Sequence, residues 1–192
     1  GITKVPTFNG IEPGLAGGVI AAGPSEEEWA NDYLKEDQKA HEDTLYFATI
    51  GDEEWYSDSL VDGINEWFNL TRNKHPDVLV STNQYGGQWS ESQLRYYIRT
   101  AHPDILTVDN YYYEGYSDWG ATSSAMRQTG LMRKLAMEGW DGTGREPIAF
   151  GQHVTVAHNN STFFSESTTC AAPFITVAMG GKWINVFTLY TP

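Results

Sequence analysis

Two apolar runs in this chain stop at clusters of carboxylates and rings. In TLYFATIGDEEW (44–55) the run closes on Asp52, Glu53 and Glu54, with Trp55 behind them. In DILTVDNYYY (104–113) it closes on Asp109, followed by Asn110 and three tyrosines. Carboxyls beside flat rings suit the cleavage of glycosidic bonds. One carboxyl protonates the leaving oxygen, the other attacks or activates water, and the rings stack on sugar faces. Glu53 is the candidate proton donor and Asp109 its partner. A general acid needs a raised pKa, which like charge from Asp52 and Glu54 and an apolar wall from Trp55 would supply. The plainer alternatives are an acidic helix start, where carboxylates complement the macrodipole, and an Asp109 that accepts hydrogen bonds from a neighbouring loop.

Further polar residues follow apolar runs in the same way. Asn83, Gln84 and Tyr85 end HPDVLVSTNQY, and Gln152 and His153 end PIAFGQHV. An amide donates and accepts at once, which suits sugar hydroxyls; loop capping is the alternative. Tyr111, Tyr112, Tyr113, Tyr116 and Trp119 make an aromatic loop that either stacks on substrate or packs on the scaffold. Tyr111, Tyr113 and Trp119 are the substrate-binding candidates there, with Asp52, Glu54 and Trp55 at the first cluster. Glu166 in SES reads as a helix start. His153 and His158 without a nearby acidic ligand make a poor metal site. No phosphate-binding glycine loop and no GxSxG elbow occurs. No cofactor or metal is called for.

Composition narrows the partners. The chain has 192 residues, enough for one domain with a sizeable core. Its net charge of −13 and pI near 4.6 repel phosphate backbones and make nucleic acid a poor partner. Aromatic residues reach 14%, which a large core explains in part, and the seven tryptophans also suit a sugar cleft. The single cysteine, Cys170, permits no internal disulfide and reads as a buried packing residue. No run approaches the ~20 apolar residues of a membrane span. The acidic balance and the sequons at Asn69, Asn159 and Asn160 fit a secreted protein.

Elements that could position these residues alternate along the chain. Ser25-Glu-Glu-Glu28 reads as a capping box opening a helix through about His41. Strands are expected near 45–50, 78–82, 105–109, 147–152 and 183–189. Helices are expected at 58–73, with Leu60, Ile64, Trp67, Phe68 and Thr71 on one face, and at 90–101, 122–138 and 165–179. Helix-then-strand repetition with short loops implies parallel strands and right-handed crossovers. The two His-Pro-Asp spacers, 75–77 and 102–104, stand as equivalent stops before successive strands.

Taken in order, IGDEEW, HPDVLVSTNQY, HPDILTVDNYYY, EPIAFGQHV, SES and KWINVFTLYTP resemble the second half of a (β/α)8-barrel glycoside hydrolase. The resemblance covers roughly 44–192, with 1–43 fitting a third strand at Pro6–Asn9 and its helix. It implies an α/β fold, a partial (β/α)8 barrel with parallel strands that lacks the first βα units. The chain would then be a single domain or the C-terminal portion of a catalytic barrel. Its partners would be a carbohydrate and the missing part of the barrel or another copy of the chain. It further implies hydrolysis of an oligo- or polysaccharide by paired carboxylates. The other reading is a non-catalytic carbohydrate-binding or structural barrel. The large retaining clan with this fold carries a nucleophilic Glu on its seventh strand, where this chain has Gln152 and His153. Strands bearing Glu53 and Asp109 would be separated by one strand, so their tips would lie roughly 10 Å apart at ~4.8 Å per strand. That spacing leans towards a water between the carboxyls and inversion.

Overall fold

The computed structural model describes residues 9–11, 15, 17–109, 118–154 and 166–186. The chain divides into two compact units, 1–82 with 100–104, and 83–99 with 105–192. Strands follow one another in chain order, β1 to β6, with helices in the connections. Every pairing between β1 and β2, and from β3 through β6, is parallel. This is a partial (β/α)8 barrel, as the alternating pattern requires.

The first unit holds β1 (Asn9–Ile11), α1 (Gly17–Ala22), α2 (Glu26–Asn31), α3 (Glu36–Lys39), a 3-10 turn at Glu42–Thr44, β2 (Leu45–Asp52) and α4 (Asp58–Lys74). The start of β3 (Leu79–Tyr85) belongs to it through Thr82. Helix α4 forms where its period predicts it and buries Leu60, Ile64, Trp67, Phe68 and Thr71. Its Gly63 lets α1 come close: a Cβ there would lie 2.8 Å from Ala21 Cα and overlap the Ile20 carbonyl.

The region 25–41 is not one helix. The capping box is present, with Ser25 N donating to Glu28 Oε2 at 2.7 Å and Glu28 N to Ser25 Oγ at 3.3 Å. Asp32 then turns left-handed, φ +77°, which a helix cannot propagate. Its Oδ1 accepts from the Tyr33 and Leu34 N–H groups. Its Oδ2 lies 2.8 Å from His75 Nε2, while Glu42 Oε1 lies 2.9 Å from His75 Nδ1. A buried imidazole thus ties 32–42 to the end of α4.

The two His-Pro-Asp spacers do precede β3 and β4, but they work differently. The first uses its histidine. The second uses its aspartate: Asp104 accepts from Val80 N at 2.9 Å and pairs with Arg72 at 3.3 Å.

The second unit takes the end of β3 from Asn83, most of α5 (Glu91–Ala101), β4 (Ile105–Asp109), α6 (Asp118–Glu138), β5 (Ala149–Val154), α7 (Glu166–Ala178) and β6 (Trp183–Val186). Helices α5 and α6 are joined by charge. Arg95 grips Glu138 with two hydrogen bonds of 2.8 Å, and Lys134 reaches Glu91 at 2.7 Å. The guanidinium holds the Glu138 carboxyl below the usual range. Ile184 packs with Ala125, Val154, Ala171, Ala172 and Ile175, so one face of β5 and β6 is covered by α6 and α7. Cys170 of α7, expected as a buried packing residue, is instead exposed. Among the described residues no helix is long and apolar enough to cross a membrane.

Candidate functional site

In the first unit the site begins where β2 runs out. Gly51 has φ +84°, and a Cβ there would stand 3.0 Å from Ile20 Cδ1 and 3.3 Å from both Glu54 Cγ and Thr82 Oγ1. Only glycine fits that turn. Two residues on, Glu53 also turns left-handed, φ +53°. A residue with a Cβ pays about 1–2 kcal/mol for that conformation. Such strain gathers at functional sites, where surrounding structure enforces it.

The three acids then separate. Asp52 ends the strand and is exposed, Glu53 is exposed, and Glu54 is half-buried. The Glu54 carboxylate occupies the space a Cβ on Gly17 would need, at the start of α1. That helix has no acid in its own first turn, so Glu54 supplies the complementary charge. The plain structural role therefore falls to Glu54. Helix α4 is capped independently, by Ser57 Oγ accepting from Leu60 N at 3.0 Å. Trp55 is not an apolar wall for these acids: it is 80% exposed. A ring so displayed has the character of a stacking platform.

In the second unit register sorts the candidates by face. Tyr85, Asp109, His153 and Asn185 form one row across adjacent strands. One step back, Asn83, Thr107, Gly151 and Trp183 form another. Alternation puts both rows on one side of the sheet. Gln84, Val108, Gln152 and Ile184 form the row between and face the other side. That other side is the helix side. Gln152 Oε1 accepts from Thr176 Oγ1 of α7 at 2.9 Å and lies 3.4 Å from Thr129 Oγ1 of α6. Buried Gln152 is a brace between sheet and helices. Gln84 shares its side.

Asp109, Asn83, His153 and Tyr85 thus share the face turned away from α6 and α7. Asp109 and Asn83 are buried, His153 is half-buried and Tyr85 is exposed. The turn after β3 is closed by Gly86 N donating to the Asp109 carbonyl at 3.0 Å. Trp89, also past a strand end, packs edge-on against Tyr97 with centroids 5.7 Å apart and is core. Trp183 meets the His153 ring at 4.7 Å, edge to face. Asn185, which strand-end reasoning passed over, lies 3.2 Å from His153 Nδ1.

Tyr111, Tyr112, Tyr113 and Tyr116 lie outside the described residues, as does the Trp119 side chain in the first turn of α6. Among the described residues no group of three His, Cys, Asp or Glu is placed to hold a metal. Two cavities lined by described residues sit at the opposite strand ends. One, of about 530 Å³, borders Pro147–Phe150 and Lys182; the other, of about 720 Å³, borders Leu45, Tyr46 and Val78. In barrels that end serves stability, while the strand C-termini carry chemistry.

No protein-family model matches the chain, and no curated protein matches it. Solved structures do. Bee venom hyaluronidase superposes with a TM-score of 0.59 at 11% identity, over 93% of this chain and 78% of that one. The chain shares that enzyme's fold. A β-D-glucuronidase from Dictyoglomus thermophilum matches at a TM-score of 0.44 and 17% identity, over 75% of this chain and 25% of that one. The architecture shared with the hyaluronidase is a (β/α)8 barrel in part.

Proposed function

We propose that this protein is a glycoside hydrolase of oligo- or polysaccharides, with Glu53 as proton donor and Asp109 as its carboxylate partner. The observation that carries the reading is Glu53 itself. It directly follows the last residue of a barrel strand, is exposed, and holds a left-handed backbone that glycine would adopt freely. Trp55, displayed beside it, offers a surface for a pyranose ring, and Asp109 ends a second strand with Tyr85 and Asn83 on its face. The fold shared with hyaluronidase fits the same class of substrate.

The test is Glu53→Gln and Asp109→Asn against a panel of polysaccharides that includes hyaluronan. Loss of the general acid should cut turnover by at least ~100-fold while oligosaccharide binding persists. Full activity in both variants on every polymer the wild type cleaves would sink the assignment. A wild type that binds glycans and cleaves none would make the chain a carbohydrate-binding barrel, for which Trp55 and Tyr85 serve as well.

A further inference from the structure

We propose that Asn185 is a positioning residue that holds His153 as the neutral tautomer with its proton on Nε2. Three observations carry this. Asn185 Nδ2 lies 3.2 Å from His153 Nδ1. An amide nitrogen only donates, so Nδ1 must accept, and the ring's one proton belongs on Nε2. An imidazolium would set Nδ1–H against the amide N–H, donor on donor. Second, the Trp183 ring stands edge-on to the imidazole, centroids 4.7 Å apart at 77°, which restricts its rotation. Third, the contact is built into the sheet. His153 and Asn185 are register partners, and Gly151 beside Trp183 allows the close approach, since a Cβ there would lie 2.7 Å from the Trp183 Cβ.

Register also makes Asp109 the partner of His153 on the next strand, on the same face. A ring protonated on Nε2 turns a donor nitrogen rather than a lone pair to that position of the ring. Asn185 thus acts on the Asp109 row through His153. This use of the tautomer rests on the glycosidase reading, whereas the tautomer does not.

The test is nitrogen-detected NMR of the full chain labelled in its histidine rings, with the His153 signals assigned by their loss in His153→Gln. The wild type at neutral pH should show a proton on Nε2 and a bare Nδ1. Asn185→Ala should lose that pattern towards a mixture of tautomers. Asn185→Asp, whose carboxylate accepts, should move the proton to Nδ1 or add a second one. A wild-type ring protonated on Nδ1, or a pattern unchanged in Asn185→Ala, overturns the proposal. If Asn185→Ala fails to fold, Asn185→Asp decides: a ring still protonated only on Nε2 there overturns the proposal. Turnover on the polysaccharide panel is read separately: a chain that cleaves nothing but shows the Nε2–H ring refutes the glycosidase and leaves the tautomer standing.

Discussion

Replacing Glu53 by glycine should make the protein more stable while destroying its chemistry. At φ +53° the Glu53 Cβ crowds the following carbonyl, a cost of about 1–2 kcal/mol that glycine escapes. Glycine has its own penalty, because it frees the unfolded chain by about 0.4–1 kcal/mol. The difference favours Glu53→Gly over Glu53→Ala by roughly 0.5–1 kcal/mol. For a chain of this size that is a rise of about 1–4 °C in Tm. Alanine is the proper reference, since it removes the carboxylate yet keeps the Cβ. The side chain itself is exposed, and both variants remove its carboxylate alike. Denaturant midpoints with constant slope should therefore rank Gly above Ala, with Gln near the wild type. Polysaccharide turnover should be lost in all three. An alanine variant as stable as the glycine variant would refute the strain argument, and with it the strongest physical reason for singling out Glu53.

Gly63→Ala should destabilise: the helix-propensity gain of ~1 kcal/mol is outweighed by a Cβ forced into the α1 backbone at Ile20 and Ala21, at a cost of about 1–3 kcal/mol in a tight contact. A midpoint at or above the wild type's would show that α1 can give way. Burial pushes the Tyr33 hydroxyl up to about 12, against about 10 in an unfolded chain. The neutral form is favoured in the fold, so this stability is whole below pH ~10 and drains away between ~10 and ~12, on the order of 2 kcal/mol. Alkaline melts of wild type and Tyr33→Phe should diverge in that window, with the wild type losing more.

Most elements were legible because their periods are strong. Residues 105–109 form β4 as expected, and the apolar face of α4 is buried as its spacing predicts. β3 and β5 run to Tyr85 and Val154, beyond the expected 82 and 152, since polar strand ends read as loops. β6 is described to Val186. The failure at 25–41 has a tertiary cause. Asp32 is a tolerable helix residue locally, but its carboxylate is claimed by His75, 43 positions away. Face assignment at the strand ends was illegible for another reason. Every residue of β4 is buried, so no alternation of polarity marks which side faces the helices. Gln84 and Gln152 therefore looked equivalent to Asn83 and His153. Asn185 was hidden in WINV, where one polar residue in an apolar strand reads as core.

The Gln152 contacts bear on the strand where the large retaining clan with this fold keeps its nucleophile. A Gln in place of a Glu suggests a lost catalytic group only if the side chain faces substrate. Here its oxygen serves Thr176 and Thr129 on the helix side. A glutamate at that position would set a charge in a buried site served by two threonine hydroxyls, at a desolvation cost. The residue of β5 that shares Asp109's face is His153, and a neutral imidazole is no covalent partner for an anomeric carbon in a paired-carboxylate scheme. On the proposed reading β5 offers a hydrogen-bond donor beside Asp109, and the second carboxyl would come from another strand end. Among the acids closing β2, Glu54 is engaged at α1 and Asp52 sits in ordinary strand geometry. Glu53, bearing the strain, is the acid to which the proposed reading gives that role.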